Sequence, residues 1–502
     1  MSAAPAANLA DLTQAAAART PDRPALIVGD TRLTWADLQR RVEDLAAELL
    51  CRDLRMADRV GLAAGGALEF VTGYLAALRA GLIVVPIDHT AAAGEVTRAL
   101  TATGARLLLA DARGESTTRA GAEAAAQAGS PAPVLVLDAA GPASRPAGAR
   151  TRVDYGGEAT AVLLETAGTG GRAKRAMLSH RALLANLAQC AALDPAPVMP
   201  GDTVLLALPL FHVFGLNAVL GHALHAGATV VAADAADPAA TLALIARAGV
   251  TSVAGTPSMF AGWAAQPAAR AALSGVRVLV SGSAPLSAGE IEVFREATGK
   301  TVWQGYGLTE AAPVVSASMR SKPGSVGRPI PGIEVRVMDR AGHPAADGDP
   351  GELEVRGPNL FSGYWPDGAS APDRDGWYAT GDMGWCDADG DLFMVSRRPD
   401  VITVSGFPVY PREVEDVVCA HPGVEQAAVV GIADDAAGQV VKLFVVAAAD
   451  VGLTADTLRA WCAERLGRFK VPRQVEFVAD LPRSIAGTIA RGRLRATDEG
   501  EQ

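Results

Sequence analysis

Short apolar runs that alternate with helix-like segments are the feature that most restricts the fold of this chain. The runs are LLLADA, VLVLD, TVLLALP, ATVVAAD and VRVLVSG. Each run is short enough for a strand and apolar enough to be buried on both faces, which is typical of parallel sheets. Because parallel strands need crossover connections, we predict an α/β fold in which helices cover parallel sheets.

Two further segments allow local predictions. Thr34 opens the segment TWADLQRRVEDLAAELL, and Asp37 follows at the capping-box position. Leu38, Val42 and Leu45 then recur on one helical face, so we predict an amphipathic helix that begins after Thr34. The alanine- and glycine-rich segment 113–149 is predicted to be a loose surface region.

The sequence pattern changes twice toward the C-terminus. From Gly324 to Arg397, strand-like EVRVMD and ELEVRG lie between Gly, Pro and Asp turns, which indicates an antiparallel, barrel-like part. Two amphipathic segments among three strand candidates follow and indicate a small α+β domain. We therefore predict a large domain over 1–397 and a C-terminal domain over 398–502, with the boundary in SRRPD, 396–400.

The composition narrows the functional class. A chain of 502 residues is too long for one core. The net charge of −10 is spread along the chain without a basic run, so a nucleic-acid partner is not expected. No apolar stretch reaches the roughly 18 residues of a membrane span, and Met1–Asn8 lacks the build of a secretion signal.

The cysteines indicate a reducing compartment. They are odd in number, far apart and without metal-site spacing, at Cys51, Cys190, Cys386, Cys419 and Cys462. We therefore expect a cytoplasmic protein with reduced thiols, each buried as a small apolar residue.

A glycine-rich segment after the strand-like AVLLE is the first candidate phosphate site. In TAGTGGRAK, 166–174, glycines let backbone N–H groups approach phosphate oxygens. The hydroxyls of Thr166 and Thr169 and the ammonium of Lys174 add donors. The alternative is a flexible surface loop, and the segment does not match GxxxxGK[ST].

Two further segments carry nucleotide-binding side chains. In QGYGLTE, a purine can stack on Tyr306, Thr309 can bond a phosphate and Glu310 can hold Mg²⁺. In YATGD, Asp382 can accept from two ribose hydroxyls. The alternatives are that Tyr306 fills the core and that Asp382 caps a turn.

In order along the chain, these segments resemble the motifs of the ANL superfamily of acyl- and aryl-CoA synthetases, adenylation domains and luciferases. The motifs are TAGTGGRAK, LPLFHVFG, SGSAPL, QGYGLTE, YATGDMGW, SRRPDVITVSGFPVYPREVE and LPRSIAGTIARGRLR. The resemblance runs from about residue 10 to 496 and implies two α/β sheets plus a distorted β-barrel, with a small mobile C-terminal lid. It also implies two steps: a carboxylate attacks ATP to give an acyl-adenylate, and a thiol such as coenzyme A then displaces AMP.

The resemblance assigns roles to individual residues. The nucleotide site is implied to comprise Thr166, Thr169, Lys174, Ser283, Ala284, Tyr306, Thr309, Asp382 and Arg397, with Mg²⁺ on Glu310. The thiol tunnel is implied to comprise Ser405, Gly406, Phe407 and Lys470. His212 is implied to line the acyl pocket, whose other walls are the small residues Gly215, Ala218, Gly255, Gly282 and Gly305. These small residues favour a bulky acid, although the same glycines could serve only close packing of strands and loops. LPLFHVFG carries no aspartate for an α-amine, so a plain carboxylic acid is favoured.

The chain departs from the family pattern where adenylation chemistry is expected. The lysine that bridges carboxylate and α-phosphate in the family is Thr488 here. Losing one positioned donor to a charged transition state typically costs about 10²–10³ in rate. In the phosphate loop, four family residues are replaced, by Ala167, Gly170, Ala173 and Arg175.

The hinge also differs, because the family's aspartate or lysine is Pro399, whose φ is fixed, so that rotation falls to ψ or to Asp400. The nucleotide-holding residues and VSGF, which lines the thiol tunnel in the family's second conformation, are intact. This selective loss predicts an enzyme limited to thioesterification of a supplied acyl-adenylate, similar to the non-adenylating acyl-CoA ligases of platensimycin-type diterpenoid biosynthesis, a natural-product pathway.

Such an enzyme needs a separate adenylating partner. Two alternatives are a complete ATP-dependent acyl-CoA synthetase, with Lys470 or Arg491 as replacement cation, and a non-catalytic adenylate binder. A monomer and a homodimer both fit the sequence.

Overall fold

The computed structural model describes most of the chain. The described residues are 7–141, 148–166, 174–233, 237–283, 286, 288–339, 341–346, 348–349, 351–396, 402–409, 411–434, 436–448, 452–482 and 494.

The bounds of the elements in these residues are as follows. The strands are β1 (Pro24–Val28), β2 (Thr31–Thr34), β3 (Arg59–Ala63), β4 (Ile83–Pro86), β5 (Leu107–Asp111), β6 (Val134–Leu137), β7 (Thr160–Thr166), β8 (Lys174–Ser179), β9 (Thr203–Leu206), β10 (Thr229–Ala232), β11 (Ser252–Gly255), β12 (Val278–Ser281), β13 (Trp303–Gly307), β14 (Val314–Ala317), β15 (Arg328–Pro329), β16 (Glu334–Met338), β17 (Gly351–Arg356), β18 (Trp377–Cys386), β19 (Leu392–Ser396), β20 (Ile402–Val404), β21 (Phe407–Val409), β22 (Val424–Asp434), β23 (Gly438–Ala447) and β24 (Gln474–Phe477). The α-helices are α1 (Asp11–Arg19), α2 (Trp35–Leu50), α3 (Ala67–Arg79), α4 (Ala93–Thr103), α5 (Glu115–Gln127), α6 (His180–Ala191), α7 (His222–Ala226), α8 (Pro238–Ala248), α9 (Pro257–Ala264), α10 (Ala269–Ala272), α11 (Ala288–Thr298), α12 (Pro411–Cys419) and α13 (Ala455–Ala463). A π-helix spans Phe214–Gly221, and 3₁₀ turns span Thr309–Ala311 and Arg468–Lys470.

Two mainly parallel sheets form the large N-terminal part. One has the strand order β15-β14-β13-β12-β11-β9-β10-β1-β2, and the other has the order β6-β5-β3-β4-β7-β8. The apolar runs singled out above form β5, β6, β9, β10 and β12 within these sheets. The prediction of helix-covered parallel sheets is therefore confirmed.

The C-terminal third contains the predicted antiparallel and α+β parts. Strands β16-β17-β18-β19 form an antiparallel sheet. After it, a sheet of order β21-β20-β23-β22, with β24 on β23, packs with α12 and α13 around its own apolar core. We call the part from Ile402 onward the lid. The predicted boundary between 397 and 398 falls outside the described residues and stays a prediction.

Two local predictions have different outcomes. Thr34 caps α2 with a complete capping box, since its side chain accepts from Asp37 N–H and the Asp37 carboxylate accepts from Thr34 N–H. The prediction of a loose region over 113–149 is wrong for its first half, because α5 packs on α4. Gly121 permits this contact, since a Cβ there would lie 2.6 Å from Val96 Cβ.

The cysteine prediction also needs correction. Cys190 and Cys462 are buried and Cys386 is half-buried, whereas Cys51 and Cys419 are exposed. Both exposed residues lie at helix C-termini. Cys51 follows the last residue of α2, and Cys419 is the last residue of α12. No helix in the described part of the chain has the length and apolarity needed to cross a membrane.

Candidate active site

A cavity of about 290 Å³ lies at the carboxyl ends of β11, β12 and β13. Parallel strands commonly end at ligand sites, because the loops there converge. Many of the predicted site residues line this cavity: Thr166, His212, Ala218, Gly282, Ser283, Gly305, Tyr306, Thr309, Glu310, Asp382 and Gly406. The fold thus brings together residues that are spread over about half of the chain.

Tyr306 and Asp382 meet directly. The Tyr306 hydroxyl donates to Asp382 Oδ2 at 2.7 Å, and the Tyr306 side chain is buried. This bond joins β13 to β18 and fixes the carboxylate at the cavity wall. Tyr306 also belongs to the apolar cluster beneath the antiparallel sheet. It therefore fills the core, as in the alternative considered above, and borders the cavity as well.

Glu310 is a buried carboxylate at the start of the loop after β13. Burial raises its pKa, and a hydrogen bond from the Tyr364 hydroxyl to Glu310 Oε1, at 2.6 Å, acts in the opposite direction. Burial is also the main cause that raises the pKa of Tyr364, so the phenol stays the donor.

The surroundings of Glu310 bear on Mg²⁺ binding. In the described ranges no group of three or more His, Cys, Asp or Glu side chains could hold a metal ion. Glu310 can supply one oxygen ligand to Mg²⁺, and nucleotide phosphates and water would supply the others, a common arrangement for this ion.

The predicted phosphate loop is bracketed by β7 and β8. Thr166, which is buried, ends β7 and pairs across the sheet with Lys174, the first residue of β8. The Lys174 ammonium lies 4.6 Å from the centre of the Tyr364 ring. Because the Tyr364 hydroxyl also donates to Glu310, Lys174 lies near that carboxylate.

The hairpin between β20 and β21 brings the lid to the cavity. At its turn, Gly406 has a φ of +83°, and a Cβ there would lie 3.0 Å from Ser283 Cβ. Phe407 stacks on Phe211 with ring centres 5.9 Å apart and lies edge-on to His212 at the same distance. Phe407 of the VSGF segment is therefore packed against Phe211 and His212.

Lys470 of the lid is held by carboxylates from both parts of the chain. Its ammonium lies 2.9 Å from Glu413, 3.2 Å from Glu95 and 3.7 Å from Glu165. Burial alone would lower the pKa of Lys470, but these three charges outweigh it and raise the pKa. We call these four residues the Lys470 cluster. It lines a second cavity of about 770 Å³, which also contacts His212 and Phe407.

The small residues predicted to line the acyl pocket lie in different environments. Gly282 and Gly305 line the first cavity, but a Cβ at Gly282 would meet the Phe214 ring at 2.8 Å and one at Gly305 would meet Ser316 O at 2.7 Å. A Cβ at Gly215 would lie 2.3 Å from Pro209 O, so close packing requires that glycine. Gly255 packs on Met259 and Phe260 and is not among the residues that line the first cavity, and its place in the acyl pocket stays a prediction.

Several predicted site residues lie outside the described residues: Thr169, Ala284, Arg397, Pro399, Asp400 and Thr488. Conversely, sequence reasoning missed Tyr364, Glu95, Glu165, Glu413 and His222. Glu165 precedes Thr166 on one strand, so alternation could have indicated that the two point in opposite directions. The others carry no local signal.

Comparison with known proteins identifies the family of the chain. The chain matches the AMP-binding enzyme family over residues 13–365 and the AMP-binding enzyme C-terminal domain over 413–488. It is 36% identical over 483 residues to a feruloyl-CoA synthase of Amycolatopsis, which covers 95% of this chain and 96% of the relative.

Two solved structures are similar over nearly the full length. One is a double mutant of o-succinylbenzoate CoA synthetase from Bacillus subtilis with a product analogue, with TM-score 0.85, 27% identity and 98% of each chain covered. The other is the amide bond synthetase McbA from Marinactinospora thermotolerans, with TM-score 0.88, 30% identity and coverage of 98% of this chain and 99% of that one. The chain therefore belongs to the AMP-binding enzyme family, which is the ANL superfamily.

Proposed function

We propose that the protein is an acyl-CoA ligase that performs the second half-reaction of its family, converting an acyl-adenylate and coenzyme A into an acyl-CoA and AMP. The thiol sulfur attacks the acyl carbon, the bond from that carbon to the phosphate oxygen breaks, and the thiol proton is lost to solvent. Thr488 in place of the adenylation lysine is the observation that carries the proposal. A threonine hydroxyl is short and neutral, and it cannot bridge a carboxylate and a phosphate as an ammonium does.

The position of the lid supports the proposal. Gly406 lies against Ser283 at the wall of the first cavity, and Phe407 lies between Phe211 and Phe469, with ring centres 5.9 Å and 4.8 Å away. In the family this hairpin lines the thiol tunnel during thioesterification. The second cavity, which reaches His212 and Phe407, is a suitable route for the pantetheine arm.

The Lys470 cluster weakens the case for a complete synthetase. In that alternative, Lys470 would replace the missing lysine during adenylation. Three carboxylates surround its ammonium within 3.7 Å, and Lys470 does not line the nucleotide cavity. Moving the lid so that Lys470 reaches the α-phosphate would separate it from Glu95 of α4, whose side chain is largely buried, which is unfavourable for a buried ion pair.

The test uses the full chain and two assays. Acyl-adenylates of aryl and bulky acids are offered with coenzyme A, and AMP release is followed; the corresponding free acids are offered with ATP and Mg²⁺, and ATP–pyrophosphate exchange is followed. We expect rapid AMP release and little or no exchange. Robust exchange by the wild type would overturn the proposal in favour of a complete synthetase. Absence of both activities, with tight adenylate binding, would favour a non-catalytic binder.

Thr488→Lys tests the residue itself, and Thr488→Ser is its matched control. The lysine variant should change AMP release from acyl-adenylate by no more than a few-fold, because no charge needs bridging once the acyl–phosphate bond exists. It should gain measurable exchange, limited by Ala167, Gly170 and Pro399. The serine variant should gain none. Equal exchange by both variants would show that position 488 does not control adenylation.

A further inference from the structure

The inner wall of the first cavity carries a buried polar side chain that the proposed chemistry does not use. His222 is 6% exposed and lines the cavity at the end of the π-helix Phe214–Gly221. Its Nε2 is buried and has no hydrogen-bond partner. Buried polar atoms in proteins are nearly always paired, so an unpaired one on a residue that lines a cavity indicates a missing partner.

The π-helix explains why this side chain reaches the cavity. Its i→i+5 hydrogen bonds give a longer turn than an α-helix, so residues spaced four to five apart share one face. Phe214, Ala218 and His222 have this spacing, and all three line the cavity. The whole π-helix of eight residues lies between Val213 and His222, and both of these residues line the cavity. The cavity wall thus extends well beyond His212, farther than a short acyl chain needs.

The protonation state of His222 is set by its surroundings. Burial lowers its pKa to about 4, so the ring is neutral at pH 7, and one ring nitrogen is hydrogen-bonded to the Ala218 backbone. Since Nε2 has no partner, the nitrogen that donates to the Ala218 carbonyl is Nδ1. Nε2, on a side chain that lines the cavity, therefore carries a free lone pair and can only accept a hydrogen bond.

A second unpaired atom points to the same kind of ligand. Ser281 is 1% exposed, its Oγ has no partner, and it lines the cavity from β12. Apolar side chains, among them those of Val204, Val219 and Val253, also line the cavity. A ligand group that enters this region must therefore be attached to an apolar body and must donate at least one hydrogen bond. A hydroxyl meets both conditions and can also accept from Ser281.

We propose that His222 forms a hydrogen-bonding subsite that selects acids with a hydroxyl group remote from the carboxylate, such as hydroxyaryl acids. The inference rests on the proposed acyl-CoA ligase function, because it treats the cavity as the acyl pocket. It adds a specificity-determining residue and a substrate class to that site. The hydroxyl donates to Nε2, and the apolar body fills the space between His222 and the reacting carbonyl near His212.

The test measures binding, so that it does not depend on turnover. Three acyl-sulfamoyl adenosines are titrated calorimetrically into the full chain. One carries a 4-hydroxycinnamoyl group, and the two matched analogues carry a cinnamoyl and a 4-methoxycinnamoyl group. The wild type should bind the hydroxyl compound about ten- to a hundredfold more tightly, because the analogues leave Nε2 unpaired. Equal affinities for the three compounds would overturn the inference.

Two variants make the assignment specific to one ring nitrogen. The amide of His222→Asn can keep the bond to Ala218 but does not reach the position of Nε2, whereas the amide oxygen of His222→Gln does. We expect the hydroxyl preference to be lost in the first variant and largely kept in the second. A preference that survives in His222→Asn would assign recognition elsewhere. If AMP release fails while the binding preference holds, the proposed function is wrong and this subsite stands.

Discussion

At the scale of the residue, Asp382 should govern nucleotide affinity. It has a fixed position because Tyr306 donates to its Oδ2 at 2.7 Å. Charge-assisted hydrogen bonds to ribose hydroxyls are worth roughly 1.5–3 kcal/mol each. Asp382→Ala should therefore weaken AMP and acyl-adenylate binding at least tenfold in calorimetry.

Tyr306→Phe is the matched control for this prediction. It removes the hydroxyl that positions Asp382 but keeps the ring in the cavity wall. Its effect on AMP affinity should be smaller than that of Asp382→Ala. Unchanged affinity in the alanine variant would contradict the ribose-binding assignment.

At the scale of the element, the Lys470 cluster should hold the lid against α4 and β7. Glu95 lies on α4, and burial raises its pKa while Lys470 opposes that shift. Glu95→Gln removes one carboxylate from a buried charge network, and breaking such a pair is strongly unfavourable. We expect faster hydrogen exchange in the Phe407–Val409 strand and slower AMP release from acyl-adenylate and coenzyme A.

The exposed Glu123 on α5 offers a control, since Glu123→Gln changes the same net charge without touching the lid. AMP binding should be normal in both variants, because Glu95 does not line the first cavity. If hydrogen exchange in the Phe407–Val409 strand is equally fast in Glu95→Gln and in the wild type, the Lys470 cluster does not hold the lid.

At the scale of the whole molecule, buried histidines should make stability depend on pH. Burial lowers the pKa of His180 and of His222 from 6.5 to about 4. The unfolded chain therefore binds more protons than the folded chain between these values, and stability is lost as the pH falls through this window. From pH 7 to pH 5, each histidine should cost about 2 kcal/mol of unfolding free energy.

Thermal midpoints from pH 7 to pH 5 check this prediction. Asn at position 180 can still accept from Leu9 N–H, as His180 Nδ1 does at 3.1 Å. The variant with Asn at both positions does not titrate there, so its midpoint should fall less with pH than that of the wild type. Parallel pH profiles for the two proteins would assign acid destabilisation to other groups.

Much of the fold and part of the site could be predicted from the sequence. The strands could be predicted from the apolar runs, because a strand buried on both faces needs a continuous run of apolar side chains. Thr34 and Asp37 became a capping box because both partners lie within one helical turn. The alanine-rich segment of α5 was misread, because small residues give a weak pattern and its helix is stabilised by packing on α4.

The sequence by itself determined the family, the order of the motifs and the replacement of the adenylation lysine by Thr488. Only the tertiary structure decided which side chains meet: Tyr306 with Asp382, 76 positions apart, and Lys470 with Glu95, 375 positions apart. It also decided that His222 lines the cavity and that its Nε2 has no hydrogen-bond partner. The physical reason is that hydrogen bonds and ion pairs depend on distance in space, and sequence periodicity reports only neighbours along one helix or strand.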